Sequence, residues 1–177
     1  VSLQLLPTST RLVLEVRAPR HEDVQVQTAP LVYFIDDEPT MRMVYASWIQ
    51  SPSPLHPDSK VFPRSGLSPA EADDAMRSFA NEVIGASPQP TVCVVDQNLR
   101  SQVSRRSNVT TGTEITRALR DRGYRGSIVI RSANVSTRSL QEYLAAGADA
   151  AMTKDEPRER LLRLVSERHG GGSFTSR

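Results

Sequence analysis

The chain has 177 residues, a formal net charge of +2 and one cysteine, Cys93. With 24% charged and 38% hydrophobic residues, it can build one core of ordinary size, and its composition is not that of a disordered chain. A single cysteine excludes an internal disulfide and a zinc site made of cysteines. No apolar run approaches the ~20 residues of a membrane span, and we expect no signal peptide. We therefore expect a cytoplasmic protein, and the start at Val1 suggests a fragment of a longer chain.

Charge is unevenly spread along the chain, and arginine is the default cation, with 20 Arg against only 2 Lys. Residues 36–96 hold nine acids and four bases, a sum of −5, whereas residues 97–138 hold nine arginines and two acids, a sum of +7. The arginine-rich stretch fits either a solvated face or a surface for an anionic partner. We favour the solvated face, because no aromatic residue or motif accompanies it.

The first 30 residues differ from the rest, with a polar, proline-bounded segment before Pro30. We predict a linker or the remnant of a preceding domain at 1–30, a domain at 31–169 with a proline-rich insertion at about 51–67, and a flexible tail at 170–177. Five strand–helix pairs are predicted in the domain. The predicted strands are 31–35, 60–62, 91–95, 127–130 and 150–153. The predicted helices are 39–50, 69–85, 112–122, 137–146 and 156–168.

Regular alternation of strands and helices predicts an α/β fold, in which helices cover both faces of a parallel sheet. Between the third strand and its helix, residues 97–111 are expected to be irregular. The helix from Pro69 should begin with a capping box formed by Ser68 and Glu71, and Gly85 should end it. Ligands of such folds bind at the carboxyl ends of the strands, so the strand ends are the place to look for chemistry.

Five polar residues are predicted at these strand ends: Asp36, Asp37, Asp96, Ser132 and Lys154. Clustered carboxylates remain ionised together only when a cation lies among them, and oxygen ligands of this kind suit Mg²⁺. A carboxylate can also attack phosphorus to form an aspartyl phosphate. A lysine and a hydroxyl could then neutralise and bind the phosphoryl oxygens.

These residues occur in motifs that resemble the receiver domain of two-component response regulators. The motifs are LVYFIDDEPTMR, TVCVVDQNL, GTEITRALRDRG, SIVIRSA and AGADAAMTK, with 22 positions between Ser132 and Lys154. The resemblance covers about four-fifths of the chain, from 31 to 169. It implies a flavodoxin-like (βα)5 fold with strand order 2-1-3-4-5.

The resemblance also implies a role for each site residue. Asp96 is the expected phosphoacceptor, and Mg²⁺ is expected to bind to Asp36, Asp37, Asp96 and the backbone carbonyl of Asn98. Ser132 and Lys154 are the expected phosphate-binding and switch residues, with Ala133 leaving the approach open. Residues at the positions of Asn98 and Asn134 tune the lifetime of the phosphorylated state. The implied partners are a histidine kinase or a histidine phosphotransfer protein, with a homodimer as a further option and neither nucleic acid nor membrane contacted by this fragment.

Two departures from the family pattern keep other functions open. Asp155 follows Lys154 where the family has a cis proline, so Lys154 could be held less rigidly. Ala151 stands where the family has a switching aromatic residue. A pseudo-receiver that binds partners without phosphorylation is therefore the main alternative. A phosphatase with an aspartate nucleophile is disfavoured, because such enzymes generally have a second acid two residues after the nucleophile and this chain has Asn98 there. Residues 8–17 weakly resemble the last strand of a histidine-kinase ATP-binding domain, which suggests the receiver end of a hybrid histidine kinase. The fragment has no ATP-binding or kinase motif, so we expect a signalling domain rather than an enzyme.

Overall fold

The computed structural model describes residues 29–50, 52–104, 106–133 and 135–169. The seven strands in these ranges are β1 (Val32–Ile35), β2 (Lys60–Phe62), β3 (Val92–Asp96), β4 (Asn98–Arg100), β5 (Asn108–Thr111), β6 (Ser127–Ser132) and β7 (Ala150–Thr153). The five helices are α1 (Pro39–Gln50), α2 (Pro69–Gly85), α3 (Gly112–Asp121), α4 (Thr137–Ala145) and α5 (Arg158–His169). Residues 1–28 and 170–177 lie outside the described residues, so the domain boundaries at both ends stay predictions.

The main sheet is parallel and has the order β2-β1-β3-β6-β7. Counted along the chain without the short β4–β5 pair, this is the predicted order 2-1-3-4-5, and the flavodoxin-like fold is confirmed. The central strands β1 and β3 are completely buried, as expected for a sheet covered on both faces. Val32 pairs with Val92 and Ile35 with Val95, so the two strands reach the same edge of the sheet together.

Helices pack on both faces of this sheet and bury separate apolar clusters. One face carries α2 and α3 through Met76, Phe79, Ile115 and Leu119. The opposite face carries α1 and α5 through Tyr45, Trp48, Leu161 and Val165. Each large apolar side chain that is fully buried contributes about 1.5–3 kcal/mol, so these two layers hold the strand ends in fixed relative positions.

The helix boundaries follow their capping residues. Ser68 and Glu71 form the predicted capping box of α2, and Gly85 is its last residue. A second capping box, formed by Thr111 and Glu114, starts α3 and was not predicted. Gly147, which follows α4, has a φ of 99°, a conformation that favours glycine.

The prediction of an irregular stretch at 97–111 is wrong in part, because β4 and β5 form an antiparallel hairpin there. We call residues 98–111 the site hairpin. Its Leu99 is fully buried in the core on the α2–α3 face, and the Gly112 N–H donates to the Gln97 carbonyl at 2.9 Å. Pairing of the two strands satisfies backbone groups that an irregular loop would leave to water.

Other differences from the predicted elements are small but bear on the site. β6 continues two residues beyond the predicted 127–130, because Arg131 and Ser132 pair with Met152 and Thr153 of β7. The proline-rich segment before β2 is packed against the sheet, since Leu55 is buried there. None of the helices within the described ranges has the length and hydropathy that a bilayer span requires.

Candidate functional site

Three carboxylates meet at the carboxyl edge of the sheet, as the sequence predicts. Asp36 and Asp37 directly follow β1, and Asp96 ends β3, the neighbouring strand. One oxygen from each lies within 4.8 Å of the others, and all three residues are buried. The paired register of β1 and β3 brings these residues together although about 60 positions separate them in the chain.

Lys154 supplies the cation of the site. It follows β7, and its Nζ lies 3.0 Å from Asp36 Oδ2 and 3.0 Å from Asp96 Oδ1. Its backbone N–H donates to the Ser132 carbonyl at 2.9 Å, which ties it to the end of β6. Ser132 is buried beside it, whereas Ala133 is exposed. The ends of β6 and β7 therefore place Ser132 and Lys154 at the same edge of the sheet as the carboxylates, with the Lys154 ammonium in contact with two of them.

Backbone N–H groups fix the orientation of two of the carboxylates. Glu38 donates to Asp36 Oδ1 at 3.0 Å, and Asn98 donates to Asp96 Oδ2 at 3.2 Å. Asn98 is the first residue of the site hairpin, and its side chain is exposed. The carbonyl role predicted for Asn98 stays a prediction, and Asn134 lies outside the described residues.

Burial and like charge raise the pKa of all three carboxylates. Desolvation, followed by the Asp96 charge, raises the pKa of Asp36 to about 6. Burial also raises the pKa of Asp37, with the Asp36 charge adding to it, and the pKa of Asp96, where Lys154 opposes it. Burial disfavours the Lys154 ammonium, but Asp96 and Asp36 outweigh this and raise its pKa. With all groups ionised, the cluster has a charge of −2.

The donor set of this cluster fits a divalent cation such as Mg²⁺. The buried Asp36 Oδ2 faces the Lys154 ammonium at 3.0 Å. One ammonium leaves two negative charges uncompensated, and carboxylate oxygens are the ligands that Mg²⁺ prefers. Asp36, Asp37 and Asp96 could hold such an ion.

Several supporting residues were not identified from the sequence. Arg42 of α1 donates to the carbonyls of Asp36 and Asp37 at 3.1 and 2.6 Å. Gln102 Nε2 donates to the Asp37 carbonyl at 3.1 Å, which connects the site hairpin to the end of β1. These bonds hold the backbone of the acidic pair, and nothing in the spacing of single polar residues on a helix or loop would have indicated them.

The site hairpin is anchored by a buried carboxylate on α2. Asp73 accepts hydrogen bonds from Ser101 Oγ and from the Gln102 N–H, both at 2.6 Å. The hairpin also lines an open polar cavity of about 500 Å³, bordered by Asn98, Arg100, Arg106 and Asn108. An element that carries Arg100 and Arg106 thus lies beside Asp96.

Comparison with known proteins identifies the fold. No protein-family model and no curated protein sequence matches the chain. Among solved structures, the chain is similar to a response regulator receiver protein from Pseudoalteromonas atlantica, with 15% identity, a TM-score of 0.57 and coverage of 81% of this chain and 100% of the other.

Two further solved structures give the same result. The BeF3-activated receiver domain of Klebsiella pneumoniae RstA has 22% identity and a TM-score of 0.56, with coverage of 78% of this chain and 97% of the other. The receiver domain of the putative response regulator NarL from Mycobacterium tuberculosis has 17% identity and a TM-score of 0.55, with coverage of 80% and 97%. The chain therefore has the fold of response-regulator receiver domains, as its motifs indicated.

Proposed function

We propose that this protein is a phosphoryl-accepting receiver domain and that Asp96 takes a phosphoryl group from a phosphohistidine donor. The observation that carries the proposal is the position of the Lys154 ammonium, 3.0 Å from both Asp36 and Asp96 and within a buried cluster of three carboxylates. A buried acid with a neighbouring cation at the carboxyl edge of a parallel sheet is suited to nucleophilic attack on phosphorus.

In the proposed step, an Asp96 carboxylate oxygen bonds to phosphorus while the phosphorus–nitrogen bond of phosphohistidine breaks. The imidazole leaves with the electron pair of that bond and takes up a proton. Hydrolysis later adds a water oxygen to phosphorus, breaks the bond between phosphorus and the Asp96 oxygen, and releases inorganic phosphate and a proton. The acyl phosphate could instead be passed to a next partner.

The remaining residues position and neutralise the transferred group. Lys154 pairs with Asp96 before transfer and with a phosphoryl oxygen afterwards. Ser132 donates its hydroxyl to a phosphoryl oxygen, and the small, exposed Ala133 leaves the approach open. Mg²⁺ bound by Asp36, Asp37 and Asp96, with the Asn98 carbonyl as a further ligand, would supply positive charge to the phosphoryl oxygens. Asn98 and Asn134 would tune the lifetime of the acyl phosphate.

Phosphorylation with labelled acetyl phosphate tests this function. We expect label in the wild-type protein that depends on Mg²⁺, is lost with a chelator, and is absent from Asp96→Asn. The exposed Asp74→Asn on α2 is a matched control and should accept label at the wild-type rate. Labelling of Asp96→Asn at the wild-type rate would contradict the proposal.

The partners follow from the same chemistry. A histidine kinase or a histidine phosphotransfer protein would be the donor in a cytoplasmic relay, either for a separate regulator or as the receiver end of a hybrid kinase. The proposal includes a homodimer as a form of the phosphorylated state, and the fragment itself is proposed to contact neither nucleic acid nor membrane.

A pseudo-receiver is the second candidate, because Ala151 and Asp155 depart from the family pattern. Such a module would bind partners without phosphorylation. It predicts no Mg²⁺-dependent change of the protein with beryllofluoride, whereas the acceptor function predicts one.

A further inference from the structure

One arginine of the arginine-rich stretch lies inside the protein rather than on its surface. Arg131 is the fifth residue of β6, between Ile130 and Ser132, and only 1% of its surface is exposed. Charged side chains are almost never fully buried unless polar groups or opposite charges compensate them. The contacts of Arg131 must therefore explain why the strand keeps a cation at this position.

Backbone carbonyls beside the candidate site accept hydrogen bonds from the Arg131 guanidinium. Its Nη2 donates to the Lys154 carbonyl at 2.7 Å and lies 3.4 Å from the Thr153 carbonyl. No carboxylate within the described ranges forms a salt bridge with it. The charge is compensated by carbonyl dipoles and by two aromatic rings instead of by an acid.

Two aromatic side chains of α1 contact the Arg131 guanidinium on its other side. Tyr45 accepts a hydrogen bond from Arg131 Nη1 at 3.1 Å. The guanidinium carbon lies 5.8 Å from the centre of the Tyr45 ring and 5.9 Å from the Trp48 ring. Ring faces attract such cations, and the planar fork of arginine donates in several fixed directions at once. Arg131 thus connects α1 to the end of β7 through Nη1 and Nη2, while its buried Nε has no acceptor among the described residues.

The backbone of Lys154 is consequently bound on both sides. Its N–H donates to the Ser132 carbonyl at 2.9 Å, and its carbonyl accepts from Arg131. A lysine side chain has a flexible stem of four carbons, so its ammonium keeps one position only when the backbone at its base is fixed. No proline follows to restrict this turn, because Asp155 is the next residue.

From these contacts we infer that Arg131 is a positioning residue for Lys154: it fixes the Lys154 backbone so that the ammonium lies between Asp36 and Asp96. Arg131 acts through Lys154 and touches neither the acceptor carboxylate nor the phosphoryl group. Its consequence for phosphoryl transfer rests on the proposed function, whereas its effect on the Lys154 ammonium does not.

The scarcity of lysine makes a direct test possible, because Lys60 and Lys154 are the only lysines in the chain. NMR of protein labelled with ¹⁵N and ¹³C only in lysine gives two ammonium signals. We expect slow hydrogen exchange for Lys154 in the wild type and exchange at least about tenfold faster in Arg131→Met, with the Lys60 signal unchanged.

Arg120→Met is the matched control for this measurement. Arg120 also donates to backbone carbonyls, those of Gly147, Tyr124 and Gly126, but it does so at the opposite ends of β6 and β7. This variant should leave the Lys154 signal as in the wild type. An unchanged Lys154 signal in Arg131→Met, or an equal change in Arg120→Met, would overturn the inference.

A double-mutant cycle tests the consequence for transfer. Arg131→Met should slow labelling by acetyl phosphate about tenfold or more, because small displacements of a catalytic group can cost up to ~100-fold. In a Lys154→Met background the same substitution should cost less than twofold, since its target is already absent. Equal losses in both backgrounds would show a general structural effect and refute the inference.

Two milder variants keep the test decisive if Arg131→Met does not fold. Arg131→Lys keeps the charge but loses the fork, and Tyr45→Phe removes one hydrogen bond to Arg131. Both should speed hydrogen exchange of the Lys154 ammonium, and wild-type exchange in both would count against the inference. If the NMR effect is present but the wild type accepts no label, the proposed function fails while the positioning role of Arg131 stands.

Discussion

The charge on Asp36 should make the metal-free protein less stable at neutral pH. Burial and the Asp96 charge raise the pKa of this carboxyl from 3.8 to about 6 in the folded protein. Between these values the folded state holds a proton that the unfolded state has lost, so stability decreases as the pH rises through this window. The full cost applies above about pH 6, decreases as the pH falls towards 3.8, and vanishes only below that value.

The size of this cost follows from the pKa difference of about 2 units, at 1.36 kcal/mol per unit, which gives about 3 kcal/mol. Asp36→Asn removes the charge but can still accept the Glu38 N–H bond through its side-chain carbonyl. The variant also loses the attraction between Asp36 and Lys154, but the raised pKa of Asp36 is already the net result of burial and that attraction. We therefore expect Asp36→Asn to raise the free energy of unfolding by about 1–3 kcal/mol at pH 7.5 without metal.

Urea denaturation at pH 7.5 and pH 4, each with and without Mg²⁺, measures this effect. The gain should become small at pH 4, where Asp36 is protonated in the folded state and about half protonated in the unfolded state of the wild type. Mg²⁺ should stabilise the wild type through linkage and have little effect on the variant. The exposed Asp74→Asn controls for the loss of one negative charge. A variant that is no more stable than the wild type at pH 7.5 without metal would refute the reasoning.

Two further predictions concern residues that pack against or anchor the site hairpin, Gly112 of α3 and Asp73 of α2. Gly112→Ala should destabilise the protein and slow labelling, because the added Cβ would lie 2.7 Å from the Asp96 carbonyl oxygen. Gly85→Ala, with open space around it, should be neutral or stabilising by up to ~1 kcal/mol. Thermal melting compares the two variants, and equal shifts of the melting temperature would contradict the prediction. Asp73→Ala should lower the free energy of unfolding in urea by about 2–3 kcal/mol, because it leaves the Ser101 hydroxyl and the Gln102 N–H without their acceptor. A decrease below ~0.5 kcal/mol would show that Asp73 does not anchor the site hairpin.

The sequence was sufficient to predict the sheet and the acidic cluster, because both depend on patterns that local physics enforces. Buried parallel strands require continuous apolar runs, and polar residues directly after them must share one edge. Asp36, Asp37 and Asp96 were predicted together for this reason, and the structure places them within 4.8 Å. Lys154 was singled out by its rarity and by its position after the last strand, and it lies between two of them.

The site hairpin could not be predicted in the same way. Its strands are only three and four residues long, and the pattern of β4 places one buried residue, Leu99, between two exposed ones. Short polar segments of this kind carry little periodicity, and their pairing depends on anchors elsewhere in the chain. The anchor here is Asp73, 28 residues before Ser101, and its acidic side chain on a helix fits a solvated face equally well.

Arg131 was missed for a different reason. The favoured interpretation of the arginine-rich stretch was a solvated face, and it holds for exposed residues such as Arg117, Arg122 and Arg125. The sequence did contain a signal that Arg131 is buried. Arg131 lies inside the apolar strand SIVIRS, two residues after Val129, and therefore on the same face of the sheet as Val129. Side chains that alternate along a buried strand do not reach water, so a charge at that position required an internal partner.

The two cations near the site show why residue 131 is an arginine and residue 154 a lysine. Arg131 binds carbonyls and a hydroxyl in different directions, which requires a planar group with several donors. Lys154 places a compact charge at 3.0 Å from oxygens of two carboxylates, and in the proposed function its rotatable ammonium would move to a phosphoryl oxygen. Exchanging the residue types would fail at both positions, because a lysine at 131 could not bind its several partners in fixed directions and an arginine at 154 would need more room between the carboxylates. For the proposed transfer, the arrangement combines a lysine whose backbone is held by Arg131 with an ammonium that can rotate about its own side chain.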